Sequence, residues 1–234
     1  MKIINVSYTY PGGTEALSGI STEIAPGSLV CVAGANGSGK TTLLTLLAGL
    51  FAPSSGRIEL KDAVSPGHES RLRKLTALVL QDADLQILGA TVSEDLALGL
   101  DEDGRARAVD TARRLSMGEL LDRPVQSLSW GQKRKLTLAS ALARNPAILL
   151  LDEPFSGLDY PSALEIRSML AANKKNGITQ VIAAHDLEPL ADLADMVMIL
   201  QAGQAVLNAP VTEIASRCAE YGVKPPGGAW PEAS

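Results

Sequence analysis

Residues 34–41 read Gly34-Ala35-Asn36-Gly37-Ser38-Gly39-Lys40-Thr41. Glycine, four free positions, then Gly-Lys-Thr is the pattern of a loop that cradles phosphate. The residue types follow from that task. Glycines let the backbone curl until successive N–H groups face one concavity, an anion site made of main chain. A helix that starts where the loop ends adds its positive end. Lys40 reaches the β- and γ-phosphates as a point charge, and Thr41 offers a hydroxyl to Mg²⁺. The setting agrees, with the apolar run Leu29-Val30-Cys31-Val32-Ala33 before the loop and helical spacing after it. A glycine-rich turn that binds nothing would have to reproduce every offset in that setting by chance. Nucleoside triphosphate binding is therefore the firmest reading of the chain.

A second constellation lies about a hundred residues on. Ile148-Leu149-Leu150-Leu151 is an apolar run that ends in Asp152-Glu153-Pro154. Behind a phosphate loop, an Asp at such a strand end holds Mg²⁺ through water, and the adjacent Glu orients or deprotonates the attacking water. Alone, the acidic pair would mean little, because carboxylates often mark the exit from a strand.

The elements that must position these groups alternate along the chain. Residues 2–7, 17–24, 29–33, 56–60 and 75–80 have strand patterns, and 41–50 a helical one. From 81 to 145 the pattern becomes mostly helical. Thr91-Val92-Ser93-Glu94 has the form of a capping box. Residues 105–117 and 130–144 are amphipathic. Strand and helix then alternate again through 147–151, 163–175, 180–184, 187–193 and 196–200. This predicts an α/β protein with a mostly parallel sheet and a helical insertion. A length of 234 residues fits one large domain, or one domain with a small insertion, and the Pro- and Gly-bearing stretch 222–234 reads as a disordered tail.

Composition narrows the functional classes. A net charge of −5 and 3% aromatics argue against a nucleic-acid surface or base-stacking platform. Cys31 and Cys218 are too few for a disulfide framework or metal cluster and suit a reducing compartment. The start of the chain turns polar at once, unlike a secretory signal. No apolar run approaches the roughly 20 residues of a membrane helix.

Leu128-Ser129-Trp130-Gly131-Gln132, just before the acidic strand, resembles the signature of the ABC ATPases, usually Leu-Ser-Gly-Gly-Gln. Gln81 after an apolar strand is similar to that family's Q-loop glutamine. Ser156-Gly157-Leu158-Asp159 resembles its D-loop, and His185 its switch histidine. Tyr10 resembles the aromatic that stacks on adenine. The resemblance covers residues 2–208 with the motifs in order.

It implies an ABC ATPase fold: a phosphate-loop NTPase with a RecA-like core, an N-terminal antiparallel β subdomain and an inserted helical subdomain near 82–145, within a domain spanning 1–221. It implies ATP hydrolysis by two cassettes paired head to tail. Each ATP would lie between the phosphate loop of one and the signature of the other. Tyr10 would stack on adenine, and Asn36, Gly37, Ser38, Gly39, Lys40, Thr41 and Thr42 would grip phosphate. Thr41 and Gln81 would ligate Mg²⁺, with Asp152 supporting it through water. Glu153 would be the general base, and His185 would hold the γ-phosphate and link it to Asp159. Ser129, Gly131 and Gln132 would meet the ATP of the opposite cassette. Trp130, where the family usually has Gly, must then point away from the phosphates or pack on the neighbouring subunit. Phe155, where the family often has Thr, is a lesser departure.

A finer resemblance follows. Gln81-Asp82-Ala83-Asp84-Leu85-Gln86-Ile87-Leu88 and Thr91-Val92-Ser93-Glu94-Asp95-Leu96 are similar to the segment after the Q-loop in energy-coupling-factor transporter ATPases. That group imports vitamins and cobalt or nickel ions. This resemblance implies a peripheral subunit on the cytoplasmic face of the cell membrane. Its partners would be a membrane coupling protein, a substrate-binding membrane subunit and a second ATPase subunit, identical or paralogous. Asp84, Gln86 and Leu88 would then belong to a groove for the membrane partner. The alternatives are the ATPase of a conventional ABC transporter or a soluble non-transport ABC protein. The latter is disfavoured by the single ATPase set, the absence of a coiled coil and the acidic balance.

Overall fold

The computed structural model describes residues 1–214 and 217–224. The chain opens with strands β1 (Lys2–Thr9), β2 (Glu15–Glu23) and β3 (Leu29–Ala33), then helix α1 (Lys40–Leu47). Next come β4 (Ser55–Leu60), β5 (Ala63–Ser65), α2 (Glu69–Leu75) and β6 (Thr76–Val79). The helices α3 (Val92–Ala97), α4 (Glu102–Arg114) and α5 (Trp130–Ala143) follow. The chain then returns to β7 (Ile148–Asp152), α6 (Tyr160–Lys175), β8 (Thr179–Ala184), β9 (Met196–Gln201), β10 (Gln204–Pro210) and α7 (Val211–Ile214).

Two sheets result. The smaller is antiparallel, in the order β2-β1-β4-β5. The larger has the order β10-β9-β3-β8-β7-β6 and is parallel except for β10 at its edge. Every residue of β3, β7 and β8 is buried. That is why these strands read as unbroken apolar runs and not as alternating ones. The pleat sends successive side chains to opposite faces. Leu29, Cys31 and Ala33 join Leu136, Ile166 and Leu170 in one core, below α5 and α6. Val30 and Val32 join Leu43, Leu47, Ile3 and Ile58 in the other, between α1 and the small sheet. Cys31 is a core residue, as its apolar run suggests, and burial pushes its thiol well above the ordinary range.

Between Val79 and Ile148 the chain forms helices and short 3₁₀ turns. The Thr91–Glu94 capping box expected from sequence starts α3. Ser129 and Gln132 form a second one at the start of α5. β5, α2 and β10 are not evident from sequence patterning. β10 returns from β9 through a two-residue turn, Ala202-Gly203, both with positive φ. Such hairpin turns usually announce themselves with Asn-Gly or Asp-Gly, and alanine there gives no signal. The 187–193 segment carries only a 3₁₀ turn, Glu188–Leu190. The expected tail begins with structured residues: Val223 is buried and Lys224 pairs with Asp186 and Glu188. Residues 225–234 of that tail lie outside the described residues.

Asp95 on α3 ties the helical segment together internally, joining the 88–89 turn to α5. It is buried, and one carboxylate oxygen accepts from the N–H groups of Leu88 and Gly89 at 2.8 and 3.0 Å. The other accepts from the Ser140 hydroxyl on α5 at 3.3 Å. Asp95→Ala should leave those donors without an acceptor and cost about 2–3 kcal/mol, measured by urea denaturation. A loss below about 0.5 kcal/mol would contradict this role for the carboxylate.

Candidate active site

β3 pairs in parallel with β8, and β8 with β7, in registers that set Ala33 beside Ala184 and Asp152 beside Ala183. The three C-terminal strand ends therefore share one edge. The phosphate loop follows β3, Glu153 follows β7 and His185 follows β8. This is where open parallel sheets bind ligands.

The loop requires its glycines at named places. At Gly34 (φ +150°) a Cβ would lie 2.3 Å from the Leu200 carbonyl oxygen and 2.6 Å from Ser38 Oγ. At Gly39 (φ +106°) it would lie 2.8 Å from the Ala16 carbonyl oxygen. Lys40 folds over the loop, donating from Nζ to the carbonyl oxygens of Gly34 and Ala35 at 2.8 and 3.1 Å. The same nitrogen is 3.9 Å from Glu153 Oε1.

Around this loop lies a cavity of about 740 Å³, a size suited to a nucleotide. The structure brings Asn36, Gly37, Gly39, Lys40, Thr41, Thr42, Gln81, Asp152, Glu153, His185 and Tyr10 to its walls. Ser38 is buried, with its hydroxyl oxygen unpartnered among the described residues. Tyr10 donates to, or accepts from, Thr42 Oγ1 at 2.9 Å and stands edge-on to Tyr8 and Phe51. Tyr8 is buried, so Tyr10 is the tyrosine presented to the cavity. Sequence reasoning missed Thr14, Glu15, Ala16, Ala202 and Gly203, which also line it. Gly203 donates to the Ser38 carbonyl at 3.1 Å, yet an Ala-Gly turn carries no chemical signature.

The carboxylates differ in their surroundings. Thr41 donates its hydroxyl to Asp152 Oδ2 at 2.7 Å, while buried Oδ1 is unpartnered among the described residues. Burial raises the Asp152 pKa, with the negative charge of Glu153 adding to the effect and the Thr41 hydrogen bond opposing it. Hard oxygen donors at Thr41 and Asp152, one of them orphaned, fit a divalent cation such as Mg²⁺. Glu153 has a left-handed backbone (φ +48°), a costly conformation for a side chain with a Cβ. Its Oε2 is 2.7 Å from His185 Nδ1.

The signature residues do not join this cavity. Ser129 caps α5, accepting from the Gln132 N–H, and the Gln132 side chain returns the bond to the Ser129 N–H. Gly131 packs so closely that a Cβ would lie 3.0 Å from Ser162 Oγ on α6. Asp159 caps α6, and its bond from Ser162 holds its carboxyl below the usual range. Trp130 stacks within its own chain, against Ser156 and Gly157.

The ABC transporter family model matches residues 17–156, more than half of the chain. The chain belongs to this family. As an ABC ATPase it binds and hydrolyses ATP. It is similar to the cobalt import ATP-binding protein CbiO of Rhodobacter capsulatus, at 38% identity, over 94% of this chain and 83% of that protein. The energy-coupling factor transporter ATP-binding protein EcfA of Carboxydothermus hydrogenoformans is 36% identical, over 93% of this chain and 83% of its own. Among solved structures, cbiO1 of Clostridium perfringens, part of the transporter complex cbiONQ, superposes with a TM-score of 0.81. Identity there is 34%, over 92% of this chain and 90% of that one. The cassette MJ0796, a dimer in a post-hydrolysis state with ADP and Pi, gives a TM-score of 0.80 at 25% identity, over 90% and 98% of the two chains. The sequence-based resemblance to energy-coupling-factor ATPases is borne out by these relatives, and the ABC ATPase fold by these structures.

A carboxyl with a raised native pKa takes up its proton more readily folded than unfolded. Its contribution to stability is most favourable below the unfolded value and declines as pH rises through the native one. Asp152→Asn should therefore raise the melting temperature of this ABC ATPase at pH 7 by roughly 2–4 °C, while ATP hydrolysis falls. The gain should shrink as the pH is lowered into the carboxylate range. An unchanged or lower melting temperature at pH 7 in metal-free buffer would count against a destabilising Asp152.

Proposed function

We propose that this ABC ATPase works as one of a pair of cassettes that drive an energy-coupling-factor importer of a vitamin or transition-metal ion. The observation that carries the reading is the division of the motifs. The phosphate loop, Asp152, Glu153 and His185 share one cavity, while Ser129 and Gly131 lie outside it with donors to spare. At the start of α5 the N–H groups of Trp130 and Gly131 have no acceptor within the helix. Ser129 Oγ accepts from Gln132, so its own proton stays available. A second cassette, facing head to tail, would bring its ATP to these donors. Both half-sites are intact on one chain, which supports a pair of identical copies.

In this reading the chain does the following. Tyr10 stacks on adenine. The loop N–H groups and Lys40 bind the phosphates and offset their charge. Thr41 and Asp152, with Gln81, would hold Mg²⁺, which when bound neutralises charge between the β- and γ-phosphates. Glu153 accepts the proton of the attacking water. His185 orients that carboxylate through Nδ1. Positioning and charge carry the rate, since phosphoryl transfer asks for little covalent chemistry from the protein.

No helix among the described residues is long and apolar enough to cross a membrane, and in this reading separate membrane subunits carry the transport path. A groove of about 280 Å³ between β6 and α5, lined by Leu50, Leu80, Gln86, Ser140 and Arg144, is the proposed seat for one of them. Gln86 serves as its wall. Its side chain accepts from Leu80 N–H and donates to the Leu78 carbonyl, at 2.7 and 2.8 Å. Asp84 pairs with Lys133, and Leu85 and Leu88, 71% and 82% exposed, stand free at the surface. We place the chain peripherally on the cytoplasmic face.

Glu153→Gln should retain ATP binding, cut hydrolysis at least about 100-fold and accumulate an ATP-bound dimer in gel filtration. Rapid turnover by that variant would remove Glu153 from its role. Lys40→Ala should lose ATP affinity in equilibrium binding, and unchanged affinity would refute the phosphate-loop assignment. Affinity capture from gently solubilised membranes should bring down a membrane coupling protein with a small substrate-binding membrane protein. A conventional permease pair instead would keep the motor and discard the importer class.

A further inference from the structure

Trp130 occupies a position where glycine is usual in the family it resembles, and its indole, 40% exposed, makes three contacts within its own chain. Nε1–H donates to the Ser156 carbonyl oxygen at 3.3 Å. The ring lies so close to Gly157 that a Cβ there would come within 3.2 Å of Nε1. Gly157 has φ +72°, so both space and conformation keep side chains away from this contact. Four residues on, and so on the same face of α5, Arg134 sets its guanidinium 5.7 Å from the centre of the Trp130 ring. Such a cation over an indole is attracted to the ring face, more so away from water. Arg134 is only 1% exposed.

The same guanidinium reaches two motifs on other elements. Nη1 donates to the Leu80 carbonyl at 2.7 Å, one residue before Gln81. Nη2 donates to the Glu153 carbonyl at 2.9 Å. No carboxylate forms an ion pair with it among the described residues, and its Nε is unpartnered there. Burial lowers its pKa, with the negative charges of Asp152, Asp82 and Glu153 acting against that. An arginine nonetheless stays charged. Two side chains thus connect four segments: the signature turn, Ser156-Gly157, the residue before Gln81 and the backbone of Glu153.

We propose that Trp130 and Arg134 are a positioning pair that locks the signature turn and the Ser156–Asp159 loop into one unit and ties that unit to the backbone beside Gln81 and Glu153. This rests on the paired-cassette reading above. The groups a chain offers to the ATP of the opposite cassette are then held in register with the groups that act on its own ATP. Neither side chain lines the cavity that holds the chain's own nucleotide. Loss of the pair should leave nucleotide affinity intact and slow the chemical step, which depends on preorganised donors.

The test uses the full chain with Trp130→Leu, Trp130→Phe, Arg134→Lys and the Trp130→Leu/Arg134→Lys double variant, beside wild type and Glu153→Gln. Trp130→Leu and Arg134→Lys should each lower kcat about tenfold, with KM for ATP within about twofold. The double variant should be no slower than the slower single one, because both remove one shared unit. Trp130→Phe keeps a ring face for Arg134 and loses the N–H donor, so it should recover part of the rate. A kcat for Trp130→Leu within about twofold of wild type would overturn the proposal. So would a double variant whose loss is the product of the single losses, or a loss confined to KM. Should Arg134→Lys not fold, the two Trp130 variants decide by the same kcat and KM criteria. If Glu153→Gln forms no ATP-bound dimer, the paired-cassette reading itself has failed, and this proposal with it. If that dimer forms and Trp130→Leu turns over normally, only the positioning pair is lost.

Discussion

Three buried parallel strands have to end, and the place where they end governs the rest of this molecule. Inside the sheet, β3, β7 and β8 have apolar faces covered on both sides and their backbone groups paired. Past Ala33, Asp152 and Ala184 that pairing stops at one level, and N–H and C=O groups need new partners. The phosphate loop, the acidic pair and His185 are the three answers the chain gives along one edge. Thr41 and Asp152 are 111 positions apart and Glu153 and His185 are 32 apart, and the parallel register brings each pair within hydrogen-bond distance. A shift of one residue in β7 would reverse the facing of Asp152 and Glu153, because the side-chain period in a strand is two.

The edge is a costly place to keep charge. Lys40, Asp152 and Glu153 are all nearly enclosed, and buried charges are tolerated only with partners. Lys40 spends its donors on loop carbonyls, Asp152 has one satisfied oxygen and one orphan, and Glu153 holds His185 from a left-handed backbone. Unmet bonding capacity at a site suited to phosphate and Mg²⁺ is what a ligand can satisfy. The two cores beneath these residues are close-packed, mostly aliphatic side chains.

The helical insertion solves a different problem. It carries the start of α5 out of the nucleotide cavity, with its first amides and the Ser129 hydroxyl directed elsewhere. A free helix end of this kind would be loosely held. Here Gly131 rests against Ser162, Trp130 against Ser156 and Gly157, and Arg134 against the carbonyls of Leu80 and Glu153. Trp130 makes these contacts within its own chain while 40% exposed.

The sequence by itself determined the chemistry. Gly34 to Thr41, Asp152-Glu153 and the buried strand runs were legible because each needs residue types that few other tasks require at that spacing. The resemblance to ABC ATPases likewise rested on short motifs, each with a fixed residue content, in a fixed order. The capping box at Thr91 was readable for the same reason, since its two bonds close within four residues. Only the tertiary structure decided what depends on distant segments. It buried Tyr8 and left Tyr10 on the cavity wall, and it brought Ala16 and Gly203 there from separate segments, where a Cβ on Gly203 would lie 2.7 Å from the Ala16 carbonyl oxygen. It turned Gln86 inward from a surface role to bracing β6, and it made Arg134 a centre of contacts from what reads as one more charge on an amphipathic helix. Local pattern encodes local hydrogen bonds and burial period, whereas carbonyl acceptors, van der Waals room and exposure at a point in space belong to whichever segments the fold places there.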